Sequence, residues 1–260
     1  MPTNSSSTRG GWGLWLAAVL SVALLPAMLT AADGPNQDAA QVDLFEGMRN
    51  GDLAVKFIPR DSREGRLTIE NKTKKPLSVK LPEAFAGVPV LAQMGAAAAP
   101  GGAGAKVGGG NQGMGGGMGG MGMGGMGGGG MFYIAPEEAK SLKVPMVCLE
   151  HGKAEPRPTT PYTIEPIESF TDRPAVKELC RMLGAGQINQ RVAQAAAWYL
   201  NNDMTWQQLA AKQQRRAGGT TSPYFTPAEI RAAMQVATVA VQSAQARQPA
   251  AAPSTTAPAN

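Results

Sequence analysis

Reactive side chains concentrate in Val147–Lys153, VCLEHGK, which holds Cys148, Glu150 and His151, the single histidine of the chain. A cysteine near a histidine is the raw material of a thiol nucleophile, because an imidazole lowers a thiol pKa and accepts its proton. Alternation along a strand argues against that use. Cys148 and Glu150 face one way and His151 the other, and Cys148 shares its face with Val144 and Met146, an inward set. Apolar burial raises a thiol pKa and makes it inert. No catalytic residue is therefore assigned; a cysteine-dependent enzyme using Cys148 stays as an alternative, with Glu150 and His151 as site candidates. The second cysteine, Cys180, falls on the apolar face of an expected helix, so a Cys148–Cys180 disulfide is possible across a sheet–helix interface. Such a bridge contributes about 3.7 kcal/mol in the chain-entropy model. Two separately buried thiols are the other reading of the pair.

The methionines offer a second chemistry. Met114, Met118, Met121, Met123, Met126 and Met131 lie in a segment of almost pure glycine and methionine, with M-x-M and M-x-x-M spacings. Thioethers are soft ligands suited to Cu(I). The spacing resembles methionine motifs of exported copper-handling proteins, although the usual histidines or acids are missing. Drifted low-complexity sequence is the simpler and preferred reading of the segment. The expectation is no cofactor, with Cu(I) binding or redox buffering as an alternative. One histidine, two cysteines and scattered carboxylates lack the paired spacing of zinc or haem sites. There is no phosphate-binding glycine loop ending in Gly-Lys-Ser/Thr and no Gly-x-Ser-x-Gly elbow.

Compartment decides how these groups are read. Met1–Gly11 is polar with one charge, Arg9; Trp12–Leu29 is uncharged and apolar; Thr30-Ala31-Ala32 supplies small residues before Asp33. That is the three-part pattern of a secretory signal, with cleavage expected after Ala32. Membrane association is expected only if the leader is retained as an anchor. The chain of 260 residues carries a net charge of +5, and 5% of its residues are aromatic. With no nucleic-acid motif and an export signal, the positive charge points to an envelope protein or anionic envelope polymer as partner, not to nucleic acid. The run Lys72-Thr73-Lys74-Lys75 reads as a solvated turn that guards a strand edge.

The elements that must position these groups fall into two halves. Residues 1–32 are the leader and 33–42 a linker. Between 43 and 168 the hydrophobic period is two: Leu53, Val55 and Phe57; Leu67 and Ile69; Leu77, Val79 and Leu81; then Val88–Gln93, Met131–Ile134, Leu142–Glu150 and Tyr162–Ile167. That makes about seven short strands separated by turn signals, an antiparallel immunoglobulin-like β-sandwich. Pro145 inside a strand implies an edge or a bulge. Residues 96–130 interrupt the sandwich as a disordered Gly/Met-rich loop. From 172 to 247 the period becomes helical. Four helices are expected: about Arg173–Leu183; Ile188–Asn201 with Ile188, Val192, Ala195, Ala196 and Tyr199 inward; one opening at the capping box Thr205-x-x-Gln208; and one at Thr226-Pro227-Ala228-Glu229, striped by Ile230, Ala233, Met234, Ala237 and Val241. Residues 248–260 form a disordered tail. The fold class is thus α+β with long disordered segments.

The strings VPMVCLEHGKAEPRPTTPY, Ala195-Ala196-Ala197-Trp198-Tyr199-Leu200 and Thr205-Trp206-Gln207-Gln208-Leu209-Ala210 are similar to uncharacterised exported bacterial proteins with a sandwich-like N-terminal half, a Gly/Met-rich insert and a helical C-terminal half. The resemblance spans most of 43–246. It implies this architecture and carries no activity. The function expected is that of an exported, non-enzymatic structural or interaction protein of the periplasm or cell envelope. Its important surface is expected where the strand around Leu142–Glu150 meets the first helix.

Overall fold

The computed structural model describes residues 39–90, 111–118, 131–216 and 218–248. The expected leader, the tail from 249, and Met121, Met123 and Met126 lie outside these residues. The chain is α+β, as its switch of period implies. In order it forms β1 (Ala40–Asp43), α1 (Leu44–Asn50), β2 (Leu53–Pro59), β3 (Glu64–Asn71), β4 (Leu77–Lys80), β5 (Ala84–Pro89), β6 (Met114–Gly117), β7 (Met131–Ile134), β8 (Ala139–Cys148) and β9 (Tyr162–Pro166). The helical half follows: α2 (Ile167–Phe170), α3 (Pro174–Gly184), α4 (Gln190–Asn202), α5 (Trp206–Ala211), the hairpin β10 (Gln213–Arg215) and β11 (Thr221–Pro223), and α6 (Pro227–Arg247).

Six antiparallel strands close into a barrel in the order β2-β3-β8-β6-β5-β9, and β1, β4 and β7 make a separate three-stranded sheet. The closed arrangement differs from the two-layer sandwich expected from the strand pattern, and β6 is the reason. It pairs with β5 through Ala84↔Gly117 to Gly87↔Met114, and with β8 through Met114↔Cys148 to Gly116↔Met146. Without it β5 and β8 would present two open edges; with it the sheet has none. The strand lies inside the segment expected to be a disordered loop, so for Asn111–Met118 that expectation is corrected: these residues are ordered, and Met114 and Met118 are core. β1 likewise makes a parallel ladder with β4 at the end of the expected linker.

The barrel interior and the small sheet share one core, including Phe57, Leu67, Ile69, Phe85, Met114, Val144, Met146, Tyr162 and Ile164. Phe57 meets Phe85 and Tyr162 edge-on, with ring centroids 5.9 and 6.1 Å apart. The Phe57↔Tyr162 pair also closes the barrel between β2 and β9. Pro145 occupies the point where the β3–β8 ladder ends, opposite Glu64, so its missing N–H disrupts no pairing beyond that point.

The second core joins the outer face of β8 to the helices, through Val147, Leu149, Val176, Leu179, Cys180, Val192 and Trp198. Glycine lets α3 lie directly on β6. A Cβ built on Gly117 stands 2.8 Å from the Cys180 carbonyl carbon and 2.9 Å from the Gly184 nitrogen, so strand and helix backbones touch. The capping boxes at Thr205/Gln208 and Thr226/Glu229 are both formed. Two helix stripes are corrected. In α4 every residue from Val192 to Trp198 is buried, while Tyr199 is exposed and stacks on Trp206 at 4.1 Å. In α6 the buried positions are Ile230, Ala233, Ala237, Ala240 and Ala244, leaving Met234 and Val241 exposed. Among the described residues, no helix is long and apolar enough to cross a membrane.

Candidate functional site

β8 outruns its neighbour β3. Past Pro145, the edge that β3 would cover is open, and buried backbone groups there must find other partners. The Met146 N–H donates to Arg63 O at 2.7 Å. Helix α4 supplies the rest with side-chain amides. Gln190 Nε2 donates to Met146 O at 3.0 Å. Cys148 N–H donates to Gln194 Oε1 at 2.8 Å, and Gln194 Nε2 donates to Cys148 O at 2.9 Å. Asn201 Nδ2 donates to Leu149 O at 2.7 Å, and His151 N–H donates to Asn202 Oδ1 at 3.2 Å. Gln190, Gln194 and Asn201 share one helix face, at i, i+4 and i+11. Gln194 is 3% exposed and acts as a surrogate strand for Cys148.

Beside this seam a cleft of about 230 Å³ opens between the β2–β3 turn, the segment after β8, and the helical half. Ser62, Arg63, Glu155, Gln190, Arg191, Gln194, Gln214, Tyr224 and Phe225 line it. Arg191 Nε donates to Glu229 Oε1 at 2.6 Å, and its guanidinium lies 5.5 Å from the ring centroids of both Tyr224 and Phe225. Lys212 sits 5.2 Å from the Trp198 ring and 5.4 Å from the Tyr224 ring, with its Nζ 2.8 Å from His151 Nε2. His151 meets Trp198 edge-on at 4.8 Å. Burial, then the Lys212 charge, hold the His151 pKa below its ordinary value. Both effects disfavour the charged imidazolium, and a Lys212 ammonium facing Nε2 can donate a hydrogen bond to it. Burial lowers the Lys212 pKa too, against the pull of Glu155. Trp198 Nε1 is buried with no hydrogen-bond partner among the described residues.

Of the residues singled out in the sequence, Cys148 and His151 both border this region, but they do not engage each other. Cys148 is buried, its Sγ 3.9 Å from Ser62 O, and its pKa is pushed far up by burial, then by Glu155 and Asp61. His151 is committed to Lys212 and Trp198. Glu150 is a structural pin, accepting from Gly113 N at 2.8 Å and from Lys153 Nζ at 2.6 Å. Cys180 is a buried thiol pushed up to about 12 by burial alone. The expected Cys148–Cys180 bridge is not formed; both thiols are free. Packing supplies the reason. Cys148 and Cys180 belong to one core cluster, but Cys180 Sγ fills the space over Gly115 of β6 while Cys148 Sγ lies 3.9 Å from Ser62 O, so the two sulfurs are engaged at different places. The copper reading loses Met114 and Met118 to the core, while Met131 is exposed at the start of β7. Among the described residues no group of three His, Cys, Asp or Glu side chains is placed to hold a metal ion.

Gln190, Gln194, Arg191, Lys212, Gln214, Tyr224, Glu155 and Arg63 were not singled out from the sequence. Only Gln194 carries a local signal, as a lone polar residue within the apolar run Val192–Trp198, which must be buried and so must be satisfied. The others converge through the fold alone. Comparison with protein-family models, with curated proteins and with solved structures finds no match to this chain.

Proposed function

We propose that the protein is an exported, non-enzymatic interaction protein of the periplasm or cell envelope, and that it holds its partner in the cleft between barrel end and helices. Unused hydrogen-bonding capacity carries this reading. Gln190 and Gln214 spend their Nε2 donors on protein, and neither Oε1 has a hydrogen-bond partner among the described residues. The Arg63 guanidinium, the Glu155 carboxylate and the Tyr224 hydroxyl also have no hydrogen-bond partner among the described residues. A small concave site with aromatic walls and several open polar groups is the usual form of a recognition site. The apolar leader sequence and the net charge of +5 support export and an envelope protein or anionic polymer as partner.

Affinity capture from envelope extract, using the tagged mature protein and an Arg63→Glu/Tyr224→Ala double variant of unchanged melting temperature, tests this. One partner held by the parent and lost by the variant is expected. Equal capture by both proteins refutes the cleft, and full-length protein in the cytosol with its leader intact refutes export.

A further inference from the structure

Two charged side chains line the cleft without a partner, and they have opposite sign. We propose that the group the cleft takes is a zwitterionic α-amino-carboxylate, its carboxylate on the Arg63 guanidinium and its ammonium on the Glu155 carboxylate. The inference rests on the cleft being the binding site and narrows what enters it.

Charge balance selects this class. The remaining charged residue of the lining, Arg191, is neutralised by Glu229, with Nε donating to Oε1 at 2.6 Å. The side chains of Arg63 and Glu155 have no hydrogen bond or ion pair among the described residues. A simple anion answers Arg63 and is repelled by Glu155; a simple cation does the reverse. A group with both charges answers both. The cleft is thus electrically balanced although the chain carries +5, and a polyanion gains less here than a zwitterion.

Both charges are mounted on anchored backbone. Arg63 N–H donates to Asp61 Oδ1 at 2.8 Å, and its carbonyl accepts from Met146 N–H at 2.7 Å. The Glu155 carbonyl accepts from Asn111 Nδ2 at 2.6 Å. The β2–β3 turn and the segment after β8 therefore present the pair with little backbone ordering left to do on binding.

Uncharged groups complete the match. An ammonium brings three donors, and Glu155 with the unpartnered Oε1 atoms of Gln190 and Gln214 supplies acceptors for them. A carboxylate brings acceptors only, and a guanidinium meets it with two parallel N–H bonds. The Ser62 and Tyr224 hydroxyls, unpartnered among the described residues, are further donors. Burial, then Glu155, raise the Tyr224 pKa, so this hydroxyl keeps its proton. Tyr224 also feels the Arg63 charge, which puts both free charges within electrostatic reach of that one hydroxyl. Volume sets the size. At about 230 Å³ the cleft lies below the roughly 300–1,000 Å³ of sites for drug-sized ligands, so it admits one residue-sized group.

Calorimetric titration of the protein with alanine, ethylamine and propionate is the test, the last two being alanine without one charge or the other. Alanine should bind at least about tenfold more tightly than either analogue, since each forfeits a charge-assisted pair. Arg63→Gln should bring alanine down to the level of ethylamine, and Glu155→Gln to that of propionate. Both side chains are exposed, so both variants should keep the wild-type melting temperature. A diamino diacid, titrated free and coupled to a peptide through one end, distinguishes a free solute from the same group borne on a polymer, because its other end keeps both charges. In either form its binding should fall in both variants. Alanine matched by either analogue, or saturable binding by no zwitterion, free or peptide-borne, overturns the proposal. Capture from envelope extract separates the two readings: if it still depends on Arg63 and Tyr224, that failure removes the ligand class and leaves the cleft; if it is indifferent to them, both fall.

Discussion

Replacing Gly117 by alanine tests whether a glycine-rich strand really seats helix α3 on the barrel. The added methyl would overlap the Cys180 carbonyl oxygen and stand 2.8 Å from its carbon and 2.9 Å from the Gly184 nitrogen. Ordinary carbon contacts need about 3.5–4.0 Å, so helix and strand must part by roughly 1 Å along this line. The obstacle is backbone, which cannot rotate away. The cost therefore falls at the upper end of overpacking, about 3 kcal/mol. For a folded unit of this size that lowers the melting temperature by roughly 6–12 °C. At Gly115 the obstacle is a side chain instead: a Cβ there lies 2.6 Å from Cys180 Sγ. Gly115→Ala should consequently be rescued in part by Cys180→Ala, whereas Gly117→Ala should not. Thermal melts of the two single variants and the two doubles with Cys180→Ala decide the matter. A Gly117→Ala protein that melts with the wild type would refute the close approach, and with it the assignment of Met114–Gly117 as a barrel strand.

Two further outcomes follow from buried polar groups. The His151 pKa is lowered in the fold, so between its unfolded value of 6.5 and its folded value the unfolded chain binds more protons. Stability from this site is complete above that unfolded value and declines as pH falls below it. The drop in melting temperature from about pH 7.5 to about pH 5.5 should be larger for wild type than for His151→Gln; equal drops would remove the Lys212–His151 contact from the account. Asn71, fully buried, donates through Nδ2 to Lys75 O at 2.7 Å and Ala135 O at 3.1 Å, and its Oδ1 accepts from Thr73 N at 2.9 Å. Asn71→Leu keeps the branching and heavy-atom count of the side chain and orphans these groups, a loss of about 3 kcal/mol by urea unfolding; a loss below about 1 kcal/mol would show that the Asn71 hub is dispensable.

Much of the fold is legible residue by residue. Leu77, Val79 and Leu81 alternate as a half-buried strand must, and β4 runs Leu77–Lys80. Thr226, Pro227 and Glu229 mark a helix start, and α6 begins at Pro227. Val144 and Met146 share the barrel-interior core as alternation expects, whereas Cys148, at the end of β8, joins the core shared with the helices. These successes share one cause: capping and periodicity depend on neighbours within a few residues along the chain. The candidate site was barely legible, because its members come from the β2–β3 turn, the segment after β8, α4, β10 and the approach to α6.

The amino-acid sequence alone therefore determined the class of secondary structure in each half, most of the helix starts, and the inertness expected of a cysteine flanked by apolar residues. Tertiary structure decided the rest. It made a strand of Met114–Gly117, because glycines have no side-chain period and their value appears only when a helix backbone lies against them. It turned an open sheet into a barrel, because closure depends on that one strand reaching both β5 and β8. It left Cys148 and Cys180 as two free thiols and set the Cys148 backbone against Gln194, because proximity across 46 residues of chain is set by how strand and helix pack.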